Sequence, residues 1–165
     1  VTPGLYPDHP RVGVGVVVLR PGWQGDGTGR AVPVGEPEVL LIRRGRPPGE
    51  GEWSLPGGSQ ELGETLFDCA AREAREETGV AVRPARVLTA VDTILRDEAG
   101  RVAFHYTIVD VLADWLSGEP AAADDALDAR FAPVSEALRL VEWEVTRAVI
   151  AEAAADWPDH DRRSG

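Results

Sequence analysis

A chain of 165 residues, 43% hydrophobic and 27% charged, has the balance of one globular domain able to bury a core without disulfides or a structural metal. A formal charge of −11 excludes a nucleic-acid-coating role, which needs a basic face, but not a small phosphate ester arriving with its own divalent cations. The single cysteine, Cys69, excludes an internal disulfide and a Cys-based metal site and suits a reducing cytoplasm.

No charged-then-apolar leader opens the chain and no apolar run approaches ~18 residues, so neither secretion nor membrane spanning is expected. One domain over 1–165 is expected, with residues 1–10 and 156–165 as flexible tails. VGVGVVVLR, residues 12–20, is β-branched and ends at Pro21-Gly22, which predicts a buried strand. Residues 21–37 are dense in glycine and proline without an apolar period and read as a mobile loop. VLLIRR, 39–44, is the next strand, and only a few extended residues fit around Trp53–Leu55. A helix follows over about 66–78: Thr65 with Asp68 resembles a capping box, and Gly79 supplies a left-handed stop. Residues 82–95 predict a strand interrupted at Pro84, and 102–115 a central strand. The acidic, alanine-rich segment 118–129 reads as a loop. A short strand comes next, then a helix over 138–157 whose apolar residues recur at helical spacing. Mixed strands with two helices predict an α/β sandwich.

The 66–78 helix carries an unusual charge pattern. At roughly 100° per residue, Glu73, Glu76 and Glu77 share about 100° of arc beside a face of small apolar residues. Two carboxylates ~6 Å apart repel by roughly 3 kcal/mol at an effective dielectric near 20. Either water screens them, as on many Glu/Arg-rich exposed helices, or a divalent cation lies between them. Oxygen donors with no histidine or cysteine alongside select Mg²⁺ or Mn²⁺ over zinc.

Gly58, Glu64, Arg72, Glu73, Ala74, Glu76, Glu77, Gly79 and Val80 together reproduce the signature of the Nudix hydrolases, which the chain resembles over about residues 11–152. The resemblance implies a mixed sheet between helices (an α/β/α sandwich) with the signature as loop–helix–loop. It also implies divalent-cation-dependent cleavage of the pyrophosphate in a nucleoside diphosphate linked to another group. Carried over, Glu73, Glu76, Glu77 and the Gly57 carbonyl become metal ligands, Arg72 orients the carboxylates, and Glu64 anchors the junction of loop and helix. The base that activates water is then a helix glutamate or an acid of the later loop, Asp125 being favoured. Arg44 and Arg46 are candidates for a substrate phosphate, against plain surface charge. Trp53 is a candidate for stacking on a base, against a core plug. Similarity to an ADP-ribose pyrophosphatase-like branch makes ADP-ribose, cut to AMP and ribose 5-phosphate, the leading substrate. A MutT-like triphosphate hydrolase and a non-catalytic nucleotide-binding module are the alternatives. Relatives often pair as homodimers.

Overall fold

The computed structural model describes residues 6–25 and 31–157. The elements in chain order are β1 (Arg11–Gly25), β2 (Ala31–Arg44), β3 (Trp53–Ser54), β4 (Gly57–Ser59), α1 (Leu66–Thr78), β5 (Ala81–Arg96), β6 (Val102–Ser117), β7 (Ala126–Pro133), α2 (Val134–Leu140) and α3 (Glu144–Ala155). Seven strands form a mixed sheet of order β3-β2-β1-β6-β5, with β4 pairing on β1 and β7 on β2. β1 and β6 run parallel, and β1–β2 and β5–β6 are antiparallel.

Alternation along β1 sorts the core into two layers. Val14, Val16 and Val18 pack with Cys69, Ala70 and Ala74 of α1, whereas Val17 and Leu19 pack with Val149, Ile150 and Ala153 of α3. The two faces are thus covered by different helices, the layering of an α/β/α sandwich.

Three expectations need correction. The 21–37 loop is largely ladder: Gly22 pairs with Val34, Trp23 with Pro33, Gln24 with Val32 and Gly25 with Ala31. Antiparallel pairing draws on backbone groups, so it survives in a stretch whose side chains show no period. The helix expected over 138–157 is two helices, because Val141 turns extended and bridges to Trp53; there are accordingly three helices among the described residues. The 118–129 loop is shortened by β7, which begins at Ala126 and pairs along β2.

Of the tails, residues 1–5 and 158–165 lie outside the described residues. Their described ends are tied down. Tyr6 N–H donates to the Ala103 carbonyl at 2.9 Å and its hydroxyl to Asp97 at 2.9 Å, and Arg86 pairs with Asp156 at 2.7 Å.

Candidate active site

The acid cluster starts from the local chemistry of α1. Thr65 Oγ1 accepts from Asp68 N–H at 3.1 Å at one end, and Gly79, at φ 73°, donates to the Arg75 carbonyl at the other. Cys69, Ala70 and Ala74 are small enough to set the helix close against the sheet. That close approach carries Glu73 and Glu77, one turn apart, into the rim of the core, where they are 8% and 4% exposed. Glu76 stays half exposed.

Burial disfavours the ionised carboxylates. The Glu77 carboxyl is pushed up to about 8, because desolvation outweighs the Gly57 N–H that donates to Oε2 at 2.8 Å, and neighbouring Glu73 and Asp125 push the same way. Glu73 is also raised, mainly by burial and against the pull of Arg72.

Arg72 is the hub. Its Nε and Nη2 grip Glu64 at 2.8 and 3.0 Å in a fork, and its Nη1 donates to Glu73 at 2.7 Å and Glu76 at 3.0 Å. Nη2 also reaches the Ser59 carbonyl at 3.2 Å. The fork holds the Glu64 carboxyl down to about 2, helped by the Glu61 N–H. Glu64 thus fastens the 59–64 loop to the helix, and Arg72 holds two of the three helix acids. Cys69, fully buried with its thiol pushed up to about 12 chiefly by burial, is packing and no nucleophile.

Gly57 and Gly58 stand where any side chain would collide. A Cβ on Gly58 would lie 2.2 Å from Glu73 Oε1, and one on Gly57 2.2 Å from the Val14 carbonyl. The loop backbone therefore touches the acids directly. From the far side, the loop before β7 docks on the end of α1, with Ala123 N–H donating to the Glu77 carbonyl at 3.0 Å. This brings Asp125 to Glu73 and Glu77, where its charge and a side-chain hydrogen bond raise Glu77.

These residues fit a hard divalent cation by type. All donors are oxygens, and Glu77 is a buried acid, its carboxyl pushed up by burial, whose charge a bound cation would offset. Among the described residues no three such side chains stand close enough to surround an ion as placed; Arg72 bridges Glu73 and Glu76 instead.

A cleft of about 260 Å³ opens on the α3 face of the sheet. Gly57 and Gly58 form one end of it, Trp53, Phe104 and Tyr106 contribute aromatic walls, and Trp143 and Thr146 come from the α3 end. Trp53 packs half-buried against the core, carries the Arg130 guanidinium 5.0 Å over its ring, and lines the cleft. Arg44 lines the cleft and donates to the Pro48 carbonyl at 2.9 Å. Arg46 lies apart from it, paired with Asp125 at 3.3 Å.

One cleft residue escaped the sequence reading. Asp110, 6% exposed, faces the cleft from the middle of β6, and burial alone pushes its carboxyl up to about 6. The signal was an acid with no basic neighbour inside the β-branched run TIVDVL.

Comparison with known proteins agrees with this geometry. The chain is 38% identical over 94 residues to an ADP-ribose pyrophosphatase of Methanocaldococcus jannaschii, covering 57% of this chain and 53% of that one. The chain thus spans about half the length of this curated relative. The structure of a MutT NUDIX hydrolase from Burkholderia pseudomallei is 28% identical, with a TM-score of 0.62 over 87% of this chain and 98% of that one. The NUDIX domain of Shewanella oneidensis NrtR, crystallised with ADP ribose, shares the fold at 21% identity, with a TM-score of 0.65 over 88% of this chain and 87% of that one. Residues 9–153 match the NUDIX domain, nearly the whole described chain, and the protein therefore belongs to the Nudix family.

Proposed function

We propose that this chain is a Mg²⁺- or Mn²⁺-dependent pyrophosphohydrolase acting on a nucleoside diphosphate linked to another group, with ADP-ribose as the leading substrate. The observation that carries the reading is that Glu73 and Glu77, with Asp125 beside them, meet the Gly57–Gly58 backbone, which forms one end of the cleft. The similarity to the M. jannaschii enzyme over about half of each chain favours ADP-ribose, and the same fold accommodates ADP ribose in the Shewanella domain.

Glu73, Glu76, Glu77 and the Gly57 carbonyl would hold the metal. When bound, the cation neutralises diphosphate oxygens and stabilises the leaving phosphate. Arg72 keeps Glu73 and Glu76 oriented and is itself locked by Glu64. Asp125 takes the proton of the attacking water, steadied by Arg46. The water oxygen bonds to phosphorus as the bridging P–O bond breaks, and its electron pair leaves with the departing phosphate. With ADP-ribose the products are AMP and ribose 5-phosphate. Arg44 and Trp53 both line the cleft, which supports a phosphate contact for the first and a stacking ring for the second.

The similarity to the Burkholderia MutT structure favours a second reading, a nucleoside triphosphate cut to monophosphate and pyrophosphate. A screen of nucleotide substrates with Mg²⁺ and Mn²⁺, products resolved by chromatography, separates the two. AMP with a sugar phosphate supports the first, and inorganic pyrophosphate the second. Binding without turnover of any substrate would leave a non-catalytic nucleotide-binding module.

A further inference from the structure

The cleft holds a feature that the hydrolytic reading leaves unused. Gly13 and Gly15 share a β1 face with Val17 and Leu19, so two missing side chains open the floor of the cleft where the next two fill the core. Asp110 lies directly across from Gly15 in the parallel β1–β6 ladder. Its carboxylate leans over the glycine, since a Cβ there would lie 2.2 Å from Oδ1.

Asp110 makes no hydrogen bond or ion pair among the described residues, and burial is the sole cause of its shift. The other charged side chains lining the cleft are engaged elsewhere: Arg44 donates to the Pro48 carbonyl, and Glu52 accepts from Trp143 Nε1 at 2.9 Å. A largely buried carboxylate that meets no protein donor, its oxygens reaching solvent only through the cleft, is poorly satisfied in the free protein. Such a group fits a site whose missing donors arrive with a ligand.

We infer that Asp110 selects the nucleoside half of the substrate, its carboxylate accepting hydrogen bonds from donor groups of the unit lodged in the cleft. The inference rests on the nucleotide reading above and adds the recognising residue to it. The donors required are N–H groups of a base or the vicinal hydroxyls of a ribose, both of which match a two-oxygen acceptor. The aromatic walls take the flat ring, Asp110 reads the polar edge, and the glycine floor lets the two approach.

The test is equilibrium binding of three probes to the wild type, Asp110→Asn and Asp110→Ala. The probes are AMP, purine riboside 5′-monophosphate, which lacks the exocyclic amine, and 2′,3′-dideoxyadenosine 5′-monophosphate, which lacks both hydroxyls. Both substitutions should weaken AMP by roughly 10- to 100-fold, the scale of a hydrogen bond to a charged acceptor. If the base is read, purine riboside monophosphate binds the wild type and both variants alike. If the ribose is read, the dideoxy compound does. Either pattern supports the inference, and with ADP-ribose the loss then falls on KM while kcat holds within about twofold. Equal weakening of all three probes, or none, overturns the role of Asp110 while the nucleotide reading stands. Failure of the wild type to bind any probe overturns both. Thermal melting of each variant verifies folding, and Asp110→Asn, which relieves an unpartnered charge, should melt no lower than the wild type.

Discussion

Glu77 and Asp110 are two buried acids on opposite faces of one sheet, and their contrast is the chemistry of this molecule at the scale of single side chains. Glu77 has neighbours that share its charge, Glu73 and Asp125, whereas Asp110 has burial alone. Glu77→Gln should lower turnover by roughly 100- to 1,000-fold, the effect of removing one partner of transition-state charge. Its melting temperature without metal should be unchanged or higher, while the rise that Mg²⁺ gives the wild type should vanish; a full Mg²⁺ response in the variant, read by scanning calorimetry, would refute the assignment of the ligand. Asp110 has a signature in pH. Its carboxyl ionises near 3.8 when unfolded and about 6 when folded, so the folded state binds more protons between those values and stability falls as pH rises through that window. Asp110→Asn lacks this contribution. Relative to the wild type it should therefore gain up to about 3 kcal/mol between pH 4 and pH 7.5 in denaturant titrations.

Among the elements, α1 was the most legible, because its signals are local. Thr65, Asp68 and Gly79 act within a turn of the helix end each defines, and the structure starts and stops the helix at Leu66 and Thr78. Thr65→Ala should cost about 1 kcal/mol and lower the melting temperature by about 2–4 °C. The extended β1–β2 hairpin was illegible because the glycine- and proline-rich sequence hides a backbone ladder. The split between α2 and α3 depends on Val141 meeting Trp53, a contact far away in sequence. Site residues divide in the same way. The helix acids lie within one segment, so their clustering followed from helical spacing, and the family signature in the same segment implied the places of Arg72 and Glu64. The place of Asp110 depends on Gly15, 95 positions earlier, and only the parallel register shows it.

At the scale of the whole molecule, the formal charge of −11 sets a test for the proposed nucleotide substrate, itself a polyanion. Its field opposes the approach of a nucleotide, and salt screens that field over about 10 Å at 0.1 M. The kcat/KM for a nucleotide substrate should therefore rise, by about two- to threefold, between 10 and 150 mM salt at fixed free Mg²⁺. Stopped assays at low substrate will show this, and a steep fall with salt would instead reveal a local basic funnel that outweighs the net charge.

The sheet also separates two kinds of change. α1 lies on one face, the cleft on the other, and Gly57–Gly58 is the narrow seam between them. A substitution at Thr93, Leu95 or Ile108 alters the cleft wall without touching the carboxylates across the sheet. If the acids on α1 break the bond as proposed, a lineage can exchange one preferred molecule for another by redecorating one side of a β-layer and leave the opposite side intact.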